Sequence, residues 1–249
     1  MINIPKFETN ITTACTNTCI CCDHYSPMQK PHFVDPAQIE RDLEAAKRIM
    51  HAGDYRLIGG EPTLHPQLLD IIDIAKASGV SDTVSVWTNG MLLDKLPESF
   101  WQKVDGIAVT VYPKLQKLDW IHQKVAETGI RYQEVNHNGK FNRTFSALPH
   151  GDTQEQYANC IYRSCNEYDN GWFYHCNNAS FISRLLMGLP EGTDGINLYT
   201  ATEDEFRAYL DDKEHPFESC KRCVQTRLLG TPWREVSRDA WQEESEYNG

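Results

Sequence analysis

Through the first half of the chain, stretches of alternating hydrophobic and polar positions give way to stretches with helical spacing, and then the alternation returns. Residues 6–13 place Phe7 and Ile11 on one face of an extended segment, which predicts a strand. Asp35 followed by Pro36 reads as an N-cap with proline in the first helical turn. Ile39, Leu43, Ala46 and Ile49 or Met50 continue that helix until Gly53 stops it. A short strand at 55–58 runs into Gly59-Gly60-Glu61-Pro62. The unit recurs as helix 67–78, strand 83–87 ending in Thr88-Asn89-Gly90, helix 98–104, strand 106–112, helix 115–128 and strand 130–135. Strands alternating with helices predict parallel βα units. Five strands are too few for a closed eight-stranded barrel, so the α/β fold expected is a partial (open) parallel βα barrel.

Residues 136–158 lose this pattern and read as a polar linker or covering loop. Beyond them, Asp169-Asn170-Gly171 between Tyr168 and Trp172 is a hairpin signal, with Cys176 on the outgoing strand. Thr202 and Glu205 form a capping box for a helix carrying Phe206, Tyr209 and Leu210. The expected division is a barrel at 1–137, a linker or covering loop at 138–158 and a small Cys-rich α+β domain at 159–249.

A chain of 249 residues that is 40% hydrophobic and 24% charged has ordinary globular values, which excludes a disordered or low-complexity protein. Its apolar runs fall well short of the ~20 residues a membrane helix needs. The start of the chain lacks a basic segment followed by an apolar core, so a cytoplasmic protein without membrane partners is expected. A net charge of −11 repels phosphate backbones and argues against nucleic acid as a main partner. The acidic run Glu235, Glu243, Glu244 and Glu246 reads as a solvated tail.

Nine cysteines change the picture, because four of them, Cys15, Cys19, Cys21 and Cys22, crowd into eight positions. In a reducing compartment such crowding points to metal or iron–sulfur ligation. Cys15, Cys19 and Cys22 form Cys-x3-Cys-x2-Cys on a loop after the first strand. Three thiolates can hold three irons of a cubane cluster and leave the fourth open, whereas zinc usually wants a fourth protein ligand. An open iron can bind a small molecule through an amine and a carboxylate.

This spacing resembles the signature of the radical S-adenosylmethionine (SAM) enzymes, and two further landmarks follow in order over residues 5–137. Gly59, Gly60, Glu61 and Pro62 resemble the motif that receives the methionine ammonium group. Thr88 and Asn89, before Gly90, are similar to the turn that contacts ribose or the methionine carboxylate. Both sit at carboxyl ends of predicted strands, where ligands of parallel α/β barrels bind. The family's aromatic residue before the third cysteine is replaced by Cys21, so the resemblance leaves adenine stacking to His24, Tyr25 or aliphatic groups. Cys21 is then either an alternative ligand or a buried, inert thiol.

Cys165, Cys176, Cys220 and Cys223 resemble the Twitch form of the SPASM extension, which implies an auxiliary [4Fe–4S] cluster; a structural zinc knuckle is the other reading. Cys160 is left as an alternative ligand to Cys165, an inert thiol or a hydrogen donor. The resemblance implies reductive cleavage of SAM to a 5′-deoxyadenosyl radical that abstracts a substrate hydrogen. Oxidation follows if a proton leaves and the second cluster takes an electron; epimerisation or peptide crosslinking are the other outcomes. The layout is similar to short radical SAM–Twitch dehydrogenases of natural-product biosynthesis. It implies a sugar- or cyclitol-like small molecule, with a peptide as the other substrate class, and a flavodoxin- or ferredoxin-type electron donor. Tyr112 after the fourth strand, Arg143 in the covering loop and Cys160 are the candidate catalytic side chains. Lys114 and His137 lie nearby, and Trp87 and Trp172 read as packing. A non-catalytic iron–sulfur or zinc scaffold would leave GGEP and TNG unexplained.

Overall fold

In the computed structural model, which describes residues 1–149, 151–160, 162–224 and 230–247, five strands alternate with four helices. They are β1 (Ile2–Thr12), α1 (Pro36–Ala46), β2 (Met50–Gly59), α2 (Leu68–Ser78), β3 (Ser81–Thr88), α3 (Glu98–Lys103), β4 (Gly106–Thr110), α4 (Leu118–Thr128) and β5 (Arg131–Val135). All five strands pair in parallel and in sequence order. The Asp35 carboxylate accepts the Ala37 N–H at 2.9 Å and caps α1. That helix stops at Ala46, before the predicted Met50, because Met50 and Ala52 are partners of Ile2 and Ile4. Cross-strand pairing here overrides helical spacing, and both β1 and β2 begin earlier than their sequence pattern suggested.

Register assigns the two faces of the sheet. Phe7, Tyr55, Leu57, Val84 and Val86 face α1 and α2 and form the main core with Ile39, Leu43, Ile71 and Ile72. Phe7 stacks on Tyr55 with ring centroids 4.4 Å apart. Burying each such side chain stabilises the fold by about 1.5–3 kcal/mol. The opposite, inner face is polar: Glu8 and Asn10 on β1, Arg56 on β2 and Ser85 on β3 share it, since successive residues of a strand alternate sides. Trp87 joins them, with the Arg56 guanidinium 4.3 Å from its ring centre.

The second half adds β6 (Lys140–Phe141), α5 (Thr153–Ala158), β7 (Glu167–Asp169), β8 (Trp172–Tyr174), α6 (Asn177–Phe181), β9 (Ile196–Asn197), α7 (Glu203–Asp211), β10 (Thr231–Pro232) and α8 (Trp241–Ser245). Asn170 and Gly171 both have positive φ, as the tight hairpin between β7 and β8 requires. Thr202 and Glu205 form the expected capping box. Cys176 lies past β8, at the N-cap of α6, rather than on the strand. β7 pairs in parallel with β1 through Glu8 and Glu167. The sheet thereby extends to eight strands in the order β5-β4-β3-β2-β1-β7-β8-β9, mostly parallel and open.

Two expectations change. The stretch read as a linker or covering loop carries β6, which pairs antiparallel with β10, and α5. The acidic C-terminal run is not a solvated tail. Ile20 N–H donates to the Arg234 carbonyl at 3.0 Å, Val236 N–H to the Thr18 carbonyl at 2.9 Å, and Lys114 pairs with Glu235 at 2.7 Å. Residues 230–247 therefore strap the first cysteine loop. They help close a second core of Ile20, Cys21, Tyr25, Phe145, Phe181, Ile182, Val236 and Trp241. Among the described residues, no helix is long and apolar enough to cross a membrane.

Candidate functional site

The three-cysteine loop leaves the carboxyl end of β1 and is held there by two close backbone approaches. A Cβ on Gly59 would lie 2.3 Å from the Thr12 carbonyl oxygen, and one on Gly60 would lie 2.2 Å from that of Ala14. Only glycine permits this contact, and Gly59 also has a φ of 137°. Gly60 N–H and Glu61 N–H donate to the Thr12 and Ala14 carbonyls, each at 2.8 Å. The segment at the end of β2 is thus stitched directly to the start of the cysteine loop.

Glu61 ties in the third motif. Its Oε1 accepts from Thr63 N–H at 3.1 Å, the Thr63 hydroxyl at 2.6 Å and the Thr88 hydroxyl at 2.5 Å. Its Oε2 accepts Asn89 N–H at 2.8 Å. Burial raises its pKa and these four donors oppose that shift. The carboxylate of the motif therefore also ties the ends of β2 and β3 together. Asn89 turns its side-chain amide to Thr16 at 2.9 Å, inside the cysteine loop.

Cys15 and Cys19 both disfavour ionisation of Cys22. Burial pushes the Cys15 thiol up to about 12 and raises Cys19 and Cys22 as well. Trp233 on the C-terminal strap donates its indole N–H to the Cys19 sulfur at 3.1 Å, and the Tyr112 ring lies 5.8 Å from the Trp233 ring, centre to centre. Cys21 points away into the second core; it is 4% exposed and has a φ of 57°. Asn17, between Cys15 and Cys19, is 3% exposed, yet neither polar atom of its amide has a hydrogen-bond partner. One buried and two half-buried cysteines with an orphaned amide among them fit a cluster whose sulfurs and ligand would satisfy that amide. Among the described residues, no three His, Cys, Asp or Glu groups are gathered as ligands of a single ion. A four-iron cluster takes its thiolates at separate corners instead.

The Radical SAM superfamily model matches residues 9–137, from β1 through β5. The chain belongs to that superfamily. Membership implies a [4Fe–4S] cluster and SAM. Over 102 residues it is 31% identical to the GTP 3′,8-cyclase of Chlorobaculum tepidum, a match covering 41% of this chain and only 31% of that relative. Over 256 residues it is 23% identical to the probable GTP 3′,8-cyclase of Methanothermobacter thermautotrophicus, covering 92% of this chain and 82% of that one. The crystal structure of BtrN in complex with AdoMet and 2-DOIA superposes with a TM-score of 0.53 at 17% identity, over 89% of this chain and 93% of BtrN. Native anSMEcpe with bound AdoMet and Cp18Cys peptide gives 0.53 at 10% identity, over 98% and 95%. At such identities the likeness establishes the fold, a partial barrel in this radical SAM protein.

Other sequence candidates fall in different places. Tyr25 is fully buried in the second core among Phe145, Phe181 and Trp241, with no face left for adenine. Arg143 donates to the Glu244 and Glu246 carbonyls at 2.6 Å and clamps the strap rather than facing the barrel. Tyr112 stacks on Phe141 beside Cys19, so it borders the cluster loop. His24 bonds the Asn10 side chain at 2.8 Å, and Asn10 bonds Glu167 at 2.7 Å.

The other five cysteines feel one another electrostatically. Cys223, Cys160 and Cys165 all raise the pKa of Cys176, and Cys223 and Cys160 raise that of Cys220. Cys165 stands beside β1, because the next residue, Asn166, accepts Glu8 N–H at 2.8 Å and donates to the Lys6 carbonyl at 2.9 Å. Burial holds the Glu8 carboxyl up at about 7, against the pull of Lys6 and Arg56. Sequence reading missed Glu8, Asn10, Asn17, Asn178 and Trp233. For Glu8 and Asn10 a signal existed: a parallel strand covered on both faces is apolar throughout, and β1 is not.

Proposed function

We propose that this chain is a radical SAM dehydrogenase. It cleaves SAM reductively and uses the 5′-deoxyadenosyl radical to take a hydrogen atom from a carbinol carbon of a sugar- or cyclitol-like molecule. The hydroxyl proton and one electron then leave and the carbon becomes a carbonyl, a balanced two-electron oxidation. The electron passes to an auxiliary [4Fe–4S] site in residues 159–249, held by Cys176, Cys220 and Cys223 with Cys165 or Cys160. The observation that carries this reading is that the cysteine-rich half is tied to the barrel beside Cys165: Glu8 N–H donates to the Asn166 carbonyl at 2.8 Å and the Asn166 amide donates to the Lys6 carbonyl at 2.9 Å. The same placement supports the division into a barrel at 1–137, a covering segment at 138–158 and an auxiliary domain. A flavodoxin- or ferredoxin-type protein in the cytoplasm would supply the first electron.

The names of the curated relatives favour a second reading, cyclisation of GTP. Charge on the inner face weighs against a triphosphate. Arg56 and Arg131 are both paired with Asp54, at 3.1 and 3.0 Å, so both guanidinium charges already face a carboxylate. Anaerobic turnover with SAM and dithionite separates the two. A cyclitol or amino-sugar panel deuterated at the carbinol carbon is expected to send deuterium into 5′-deoxyadenosine and yield a carbonyl product, while GTP leaves 5′-deoxyadenosine at its basal rate. Stimulation by GTP, with no carbonyl from the panel, would overturn the dehydrogenase reading.

A further inference from the structure

A directed chain of hydrogen bonds links the first cysteine loop to the second cysteine site. Tyr25 lies three residues beyond Cys22 and donates its backbone N–H to the Cys22 carbonyl at 3.1 Å. Its backbone is left-handed, with a φ of 52°, which turns the ring away from the first loop and into the second core. The Tyr25 hydroxyl donates to Asn178 Oδ1 at 3.2 Å, and its oxygen lies 3.1 Å from the Thr144 hydroxyl. A phenol has one hydrogen, so the Thr144 hydroxyl donates to Tyr25 and Tyr25 donates to Asn178. With its oxygen so engaged, the Asn178 amide presents Nδ2 to the Cys223 sulfur at 3.3 Å. Tyr25 therefore fixes which end of the amide faces the thiol. The opposite flip would aim a carbonyl oxygen at an anionic sulfur.

We propose that Tyr25 and Asn178 are positioning residues of the second site, which set its reduction potential from the first loop. The proposal rests on the reading of that site as an iron–sulfur centre. Residues around the chain fit the role: Val224 N–H donates to the Thr144 carbonyl at 3.1 Å, and Phe145 bridges to Cys223, so the Thr144 hydroxyl that orients Tyr25 and the Cys223 thiol sit on paired segments. Reduction adds negative charge to a cluster, and an N–H aimed at a ligand sulfur stabilises that charge and raises the potential. Low dielectric in this aromatic core strengthens the effect.

The test is an anaerobic potentiometric titration of the reconstituted full chain followed by electron paramagnetic resonance. Asn178→Leu and Tyr25→Phe are each expected to move the second couple to a more negative potential and leave the first couple in place. Tyr25→Phe removes a single atom from the core and so preserves the fold. In an Asn178→Leu background, Tyr25→Phe is expected to add no further shift, because it acts only through the amide. A second couple that stays put in Tyr25→Phe, or shifts equally with and without Asn178, would overturn the assignment alone. Wild-type chain with roughly four irons and no second couple would overturn the iron–sulfur reading itself, and the assignment with it.

Discussion

Replacing Cys19 with alanine is expected to abolish reductive cleavage of SAM and to remove roughly four irons per reconstituted chain. Three thiols leave no spare ligand for a cubane, and Cys21 is turned away into the second core, where Thr231 and Arg143 are its neighbours. Cys15→Ala and Cys22→Ala should match it, because all three thiols lie on one loop. Cys21→Ala should keep both the irons and the cleavage. Iron and sulfide counts, with chromatographic detection of 5′-deoxyadenosine, decide the matter. Cleavage surviving in Cys19→Ala would assign the cluster to other ligands.

Glu61→Ala carries the second-largest expected effect, and it acts first on stability. The carboxylate is fully buried and joins the end of β2 to the end of β3 through Thr63, Thr88 and Asn89. Alanine would strand these donors in a site water does not reach. Each unsatisfied group costs about 1–3 kcal/mol, and since the freed hydroxyls can turn to other acceptors the loss should lie at the low end of the sum, ~3–5 kcal/mol. For a chain of this size that corresponds to a melting point lower by roughly 10 °C. Glu61→Gln should fall between, since one amide oxygen still accepts while its NH2 meets a donor. Because Asn89 also touches Thr16 of the cysteine loop, SAM affinity should fall with stability. Thermal melts under argon and equilibrium binding of SAM measure both. An unchanged melt would mean that the carboxylate does not tie the motifs together.

These contacts explain what could be read from the sequence. The βα alternation and the cysteine spacing are local, so β1 to β5 and the Cys15, Cys19, Cys22 loop were legible. So were the hairpin at Asn170-Gly171 and the capping box at Thr202, where the turn chemistry is contained within a few residues. What stayed hidden depends on contacts made over long sequence separations. Trp233 reaches the Cys19 sulfur, and Trp241 donates to the Cys19 carbonyl at 2.7 Å, both from a segment whose acidic composition suggested solvent. Tyr25 stood where an adenine-stacking ring was expected, but its left-handed backbone sends the ring into the second core, which no local pattern announces. Glu61 sat in the right motif, and only the folded arrangement of Thr88 and Asn89 reveals that its carboxylate holds the motifs together.

The most direct measurement of the account is the electron paramagnetic resonance spectrum of the reduced, reconstituted chain with and without SAM. In a variant lacking Cys220 and Cys223, only the first centre is expected to contribute. An iron corner left free by three thiolates predicts that SAM changes the signal of that centre. A spectrum identical in the presence and absence of SAM would contradict it.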